Sequence, residues 1–125
     1  MIVAEYMTTA PATVNPSDTL AAARSLMDTK GVRHLLVVDN TGLVGVLTAG
    51  DIRKHEGYLE RSRVTAAMSP YPIVVRSDTP MREATSLLIE KKIRSLPVVD
   101  DGKVVGIITT TDLLRAMLKL IEERT

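Results

Sequence analysis

The chain spells one pattern of about 61 residues twice, without a gap. Shifted along itself, Met7 falls on Met68, Pro11 on Pro72, Val14 on Val75, Ala23 on Ala84, Leu26 on Leu87 and Lys30 on Lys91. Arg33 falls on Arg94, Leu35 on Leu96, Val37-Val38-Asp39 on Val98-Val99-Asp100, and Val44-Gly45 on Val105-Gly106. Thr48 falls on Thr109 and Asp51 on Asp112. The period is longer than the roughly 20–50 residues of solenoid arrays. Two copies predict two similar halves, 1–61 and 62–125, that bury their apolar faces on each other about an approximate two-fold axis.

Each copy reads in the same order. A short helical segment (Val3–Met7; Val64–Met68) precedes a Pro-containing loop and a brief extended piece at Thr13-Val14 or Val74-Val75. A helix is predicted to start near Asp18 or Thr79, with Pro80 at the first helical position, where its missing N–H costs nothing. Apolar spacing through Leu20, Ala23, Leu26 and Met27, and through Met81, Ala84, Leu87 and Leu88, is helical. Gly31 is placed to end the first of these helices. Two β runs follow, Leu35–Val38 with Leu43–Leu47 and Leu96–Val99 with Val104–Ile108, turned by Asn40-Thr41-Gly42 and Asp101-Gly102. Glu56 to Arg63 reads as the linker between the halves. The last helix keeps an apolar stripe through Leu113, Leu114, Met117, Leu118 and Ile121, a face for intramolecular core or for a second helix.

Composition narrows the function classes. Sixteen Lys and Arg against 15 Asp and Glu leave a net charge of +1, which makes no electrostatic case for nucleic acid or anionic membrane. The absence of cysteine excludes disulfides, thiol nucleophiles and Cys-type zinc sites, and fits a cytoplasmic protein. No apolar run approaches membrane-spanning length, and Glu5 interrupts the first apolar residues. With no Phe and no Trp, the core must be packed from Val, Leu, Ile, Met and Ala. No nucleophile–base pair, Walker-type glycine loop or metal-ligand spacing is present; His34 and His55 share none. The expectation is therefore no catalytic residue, no metal site and no obligatory cofactor.

The chemistry concentrates in Gly45-Val46-Leu47-Thr48-Ala49-Gly50-Asp51 and Gly106-Ile107-Ile108-Thr109-Thr110-Thr111-Asp112. In each, a β-prone run stops at a threonine and an aspartate follows three residues on. The threonine caps a new helix and the aspartate reaches back from its first turn. Read blandly, these are two capped helices. Read functionally, a helix start offers unpaired N–H groups and a positive dipole end to an anionic or polyhydroxy ligand.

Repeat length, element order, Leu96-Pro97-Val98-Val99-Asp100 and the two Gly-x-x-Thr-x-x-Asp runs together resemble the CBS domain, named after cystathionine β-synthase; two in tandem resemble a Bateman module. The resemblance covers essentially the whole chain. It implies an α/β (α+β) fold of two β-α-β-β-α repeats about a pseudo-two-fold axis, with two clefts between them. It also implies a regulatory module rather than an enzyme. Its ligand would be an adenosine compound (AMP, ADP, ATP or S-adenosylmethionine, with or without magnesium), and it would commonly be a homodimer acting on a separate protein target. The alternative is a ligand-free dimerisation or protein-interaction module.

Within that resemblance, Asp51 and Asp112 are acceptors for the cis-diol of a ribose, which presents two donors in a matching fork. Arg33 and Arg94, with His34 beside the first, occupy positions that often meet phosphates. Thr48, Thr109 and Thr111 supply hydroxyls. The adenine slot is implied at Ala10, Ala12 and Val32 in one copy and Tyr71, Ile73 and Ile93 in the other. Family sites are usually composite, so the first trio would join Thr109, Thr111 and Asp112, and the second Thr48 and Asp51. Leu36 stands where the second copy has Pro97, Gly50 where it has Thr111, and Ala10 where it has Tyr71. Unequal sites are expected, with the Asp112 site ranked first for its donors and small-residue loop.

Overall fold

The computed structural model describes residues 1–124. Among them the chain is a mixed α/β fold with two sheets and five α-helices. Two compact units form, and they are not bounded as the repeats are. One joins Met1–Ala10 to the chain from Ile73 onward; the other is Pro11–Pro72. Each repeat's opening residues are thus built into the unit that carries the other repeat's hairpin.

In the Pro11–Pro72 unit, β2 (Thr13–Val14) runs parallel to β3 (His34–Asp39), which pairs antiparallel with β4 (Gly42–Thr48) and then β5 (Ser69–Pro70). Helix α1 (Leu20–Lys30) buries Leu20, Ala23 and Met27 on this sheet's Leu35, Val37 and Leu47. Thr19 caps it, its hydroxyl accepting from the Ala22 amide at 3.1 Å, and Gly31 closes it at φ 65°. That is the left-handed conformation a residue without Cβ adopts at least cost. The stretch after α2 (Ala49–Arg53) is not a loose linker. The carbonyls of Leu59 and Ser62 accept from Ala21 and Leu20, satisfying amides that the start of α1 cannot satisfy itself. Helix α3 (Val64–Ala67) follows, with Val64 buried in the same core.

The other unit repeats the plan. Here β1 (Thr8–Thr9) pairs antiparallel with β7 (Lys103–Thr109), and β7 with β6 (Ser95–Asp100); Val75 makes a single parallel bridge to Val98 in place of a first strand. Helix α4 (Met81–Lys91) packs Met81, Ala84 and Leu88 on Leu96, Val98 and Ile108, with Val3 fully buried among them. Pro80 stands one position earlier than the sequence suggests. Its ψ of 139° is extended, so it caps rather than begins α4, and its carbonyl accepts from Glu83 and Ala84. Asp101 and Gly102 both take positive φ (49° and 77°), as a tight two-residue hairpin turn requires. The last helix, α5 (Thr110–Glu123), buries only Asp112 and Ala116 fully. Leu113 packs on the core, but Leu114, Met117, Leu118 and Ile121 are all more than half exposed, so most of the stripe is not intramolecular core.

Two short strands, β1 and β5, fall where the sequence suggests only loop. Their presence explains the glycine of each Gly-x-x-Thr-x-x-Asp run. A Cβ on Gly106 would lie 2.8 Å from both Met7 Sδ and the Thr8 carbonyl; one on Gly45 would lie 2.7 Å from Met68 Sδ and 2.9 Å from the Ser69 carbonyl. The edge strand and its methionine therefore sit where any other residue would put a side chain. The Gly106→Ala variant is expected to lose about 1–3 kcal/mol, the usual cost of overpacking, in urea unfolding; an unchanged midpoint would mean that β1 yields freely.

The units also differ at the hairpin aspartate. Ser77 donates both its hydroxyl and its amide to Asp100. Pro16, which holds the Ser77 position in the first repeat, has neither donor, and Asp39 turns to Thr41 instead. The Ser77 hydroxyl first, then its amide and Arg76, hold the Asp100 carboxyl below the ordinary carboxylate value. A carboxyl lowered on folding stabilises fully above its unfolded pKa and loses that contribution as pH falls through the folded value. Ser77→Ala should therefore be less stable than the parent at pH 6. The gap should narrow below about pH 3.9, where unfolded aspartate protonates, as thermal unfolding at pH 6 and pH 3 will read; a gap independent of pH would refute the linkage.

Candidate ligand-binding site

The two Thr-x-x-Asp runs fold as reciprocal caps. At α5, Thr109 Oγ1 accepts from the Asp112 amide at 3.3 Å while Asp112 Oδ2 accepts from the Thr109 amide at 2.8 Å. At α2, Thr48 Oγ1 accepts from the Asp51 amide at 3.1 Å and Asp51 Oδ2 from the Thr48 amide at 2.9 Å. The next amide in each copy is also taken: Thr110 donates to the Arg94 carbonyl and Ala49 to the Arg33 carbonyl. Most of the N–H groups that a bare helix start would offer an anion are thus spent on the cap. The amides of Thr111 and Gly50 are taken by none of these groups. One oxygen of each carboxylate is committed as well, so neither aspartate presents the whole fork to a diol.

The remaining oxygens differ. Asp112 is 3 % exposed. Its Oδ1 accepts from Thr8 Oγ1 at 3.2 Å and faces Arg115 Nη1 at 3.5 Å. Asp51 is half-buried, and among the described residues nothing donates to its Oδ1. The ranking by donor count thus meets an opposite ranking by open acceptor. The lengths of the helices differ too: α2 has five residues and α5 has 14, and only the longer carries a developed dipole.

Around these caps, the bonds from Thr110 and Ala49 fix the backbones of Arg94 and Arg33 beside the helix starts. Both arginine side chains are exposed, and among the described residues neither makes an ion pair. His34 begins β3 beside Arg33 and is half-buried; Thr111 presents an exposed hydroxyl, where Gly50 has none. Ala10 and Tyr71 hold the same place in the repeat and share an unusual backbone, at φ 48° and 53°. Ala10 lies in the unit of Asp112, and Tyr71 in the unit of Asp51. Tyr71 is 93 % exposed, so its ring fills no core. Ala12 packs on the core of the Asp51 unit, which also holds the exposed Val32. Ile93 packs on the core of the Asp112 unit, which also holds Ile73. Thr8 and Arg115 complete the surroundings of Asp112 without having been singled out in the sequence. The alignment of Thr8 with Ser69 was the available signal, but pairing of β1 with β7 is needed to bring Thr8 there.

Among the described residues no group of His, Asp and Glu is placed to hold a metal ion, and no helix is long and apolar enough to cross a membrane.

Comparison with known proteins agrees with this architecture. The family model of the CBS domain matches residues 3–57 and 63–119. Inosine-5'-monophosphate dehydrogenase of Methanocaldococcus jannaschii is 34% identical over 82% of the chain, but the chain spans only 21% of that enzyme's length. Two solved structures match nearly end to end. CBSX2 in complex with AMP is 36% identical, with a TM-score of 0.85, over 95% of this chain and 97% of that one. CBSX2 is a protein of Arabidopsis thaliana. The CBS domain pair of protein MJ0100, in complex with 5'-methylthioadenosine and S-adenosyl-L-methionine, is 27% identical, with a TM-score of 0.87, over 94% and 95%.

The unequal surroundings of the two carboxylates give unequal costs of removal. Asp112→Ala removes a buried carboxylate that caps the Thr109 amide and accepts from Thr8, and should cost about 2–3 kcal/mol, whereas Asp51→Ala at a half-buried cap should cost about 1 kcal/mol. Urea unfolding of both variants measures the difference; equal losses would mean that the extra bonds to Asp112 contribute nothing.

Proposed function

The chain belongs to the CBS-domain family, and from that premise we propose that it is a regulatory module whose two repeats bind an adenosine compound and pass the resulting change to a protein partner. The open Oδ1 of Asp51 carries this reading, since among the described residues nothing donates to it, while the Arg33 backbone is tied to the same helix start and its side chain makes no ion pair with any of them. A ribose hydroxyl supplies the donor, and Arg33 suits the phosphate of AMP, ADP or ATP. Arg94, with the Thr111 amide and hydroxyl, offers the corresponding set beside Asp112. Ala10, Ala12, Val32, Tyr71, Ile73 and Ile93 are the proposed base contacts, and His34 and Thr48 polar neighbours. AMP in CBSX2, and S-adenosylmethionine with methylthioadenosine in MJ0100, support an adenosine ligand.

No step of catalysis is assigned. The ligand acts by differential affinity for two shapes of the module, and the response can be no larger than that difference. The exposed apolar face of α5 is the surface on which we place pairing with a second copy. The second reading, a ligand-free interaction module, is favoured by the caps themselves, which are complete without a ligand.

Isothermal titration with AMP, ADP, ATP and S-adenosylmethionine, with and without magnesium, decides between them. At least one compound should bind saturably, and Asp51→Ala should weaken one site by roughly ten- to a hundred-fold, the worth of a hydrogen bond to a charged group. Silence across the panel, in protein confirmed folded and ligand-free, would establish the interaction module instead.

A further inference from the structure

The two carboxylates share a motif and a cap, yet only one has its second oxygen held by a neighbouring strand. Thr8 sits opposite Ile107 on β7, and Ser69 sits opposite Val46 on β4, the same register in the two units. The Thr8 hydroxyl donates to Asp112 Oδ1 at 3.2 Å, whereas Ser69 makes no hydrogen bond to Asp51. The two strand residues themselves differ by one methyl group. The β-branch of threonine restricts its side-chain rotamers, and serine is free to turn toward water. The glycine at 106 lets β1 lie close on β7, so Thr8 is delivered to the carboxylate by the packing of its own strand.

We infer that Thr8 is a built-in competitor for Asp112, holding the oxygen that a ribose hydroxyl needs and so setting the Asp112 site to respond at higher ligand concentration than the Asp51 site. This rests on the nucleotide-binding reading above. A diol arriving at Asp112 meets an oxygen already held by the Thr8 hydroxyl at 3.2 Å and faced by the exposed Arg115 at 3.5 Å, whereas among the described residues nothing donates to Asp51 Oδ1. Turning Thr8 away costs its hydrogen bond but leaves the backbone pairing of β1 intact, so the site is attenuated rather than closed. The same chain then covers a wider range of ligand concentration than two equal sites would.

The test uses the full chain carrying Asp51→Ala, so that Asp112 is the remaining carboxylate, and AMP as the probe in isothermal titration. Adding Thr8→Val removes the donor and keeps the shape. AMP is expected to bind about three- to ten-fold more tightly, the worth of one ordinary hydrogen bond. Unchanged or weaker binding would overturn the inference, weaker binding marking Thr8 as a ligand contact. Should Thr8→Val fail to fold by circular dichroism, Thr8→Ala is judged by the same outcomes. If the parent chain binds AMP and the Thr8 variants show no gain, only the competitor role is lost; if no form binds AMP or S-adenosylmethionine, the nucleotide reading falls and the competitor role with it.

Discussion

Everything near the candidate site depends on how closely one chain segment crosses a glycine. At Gly106 and Gly45 the edge strand lies where a Cβ would stand, within 2.9 Å of it. That approach seats β1 and β5, and in one unit it carries Thr8 to Asp112. It also joins Met1–Ala10 to a core more than 60 residues away in sequence, with Val3 buried beside Val98 and Ile108. The glycine belongs to the same short run as the capping threonine and aspartate. One motif therefore positions the edge strand, starts the helix and holds the carboxylate.

The cap and the proposed ligand compete for the same atoms. A reciprocal cap uses the threonine hydroxyl, one carboxylate oxygen and the amides at the helix start, which are the groups an anion or a diol would otherwise engage. What remains is modest: an amide, an arginine that pairs with no carboxylate among the described residues and, at Asp51, one oxygen. Binding through these leftovers leaves the helix start intact. The helix need not unravel to admit a ligand, and mutation of the aspartate tests fold and binding together.

Much of the fold is legible from local pattern. Helical spacing placed α1 and α4, turn chemistry placed Asp101-Gly102, and Gly31 marked the end of α1, because each is a contest among neighbours along the chain. The strands β1 and β5 were not legible. Two residues carry no periodicity, and they are strands only because a glycine elsewhere leaves room for them. Glu56 to Arg63 read as linker for the same reason: its role is to offer carbonyls to the start of α1, which no local signal announces.

The site divides along the same line. The sequence by itself determined the repeat, the Thr-x-x-Asp caps and the arginines before each hairpin, since residue type and spacing along one chain suffice for those. Only the tertiary structure decided which carboxylate oxygen is open. It seats Thr8 against Asp112 and makes no hydrogen bond from Ser69 to Asp51, so the carboxylate ranked first by its donors is the one already occupied. Hydrogen-bond partners from distant segments are set by strand pairing and close packing, and these are properties of the folded chain.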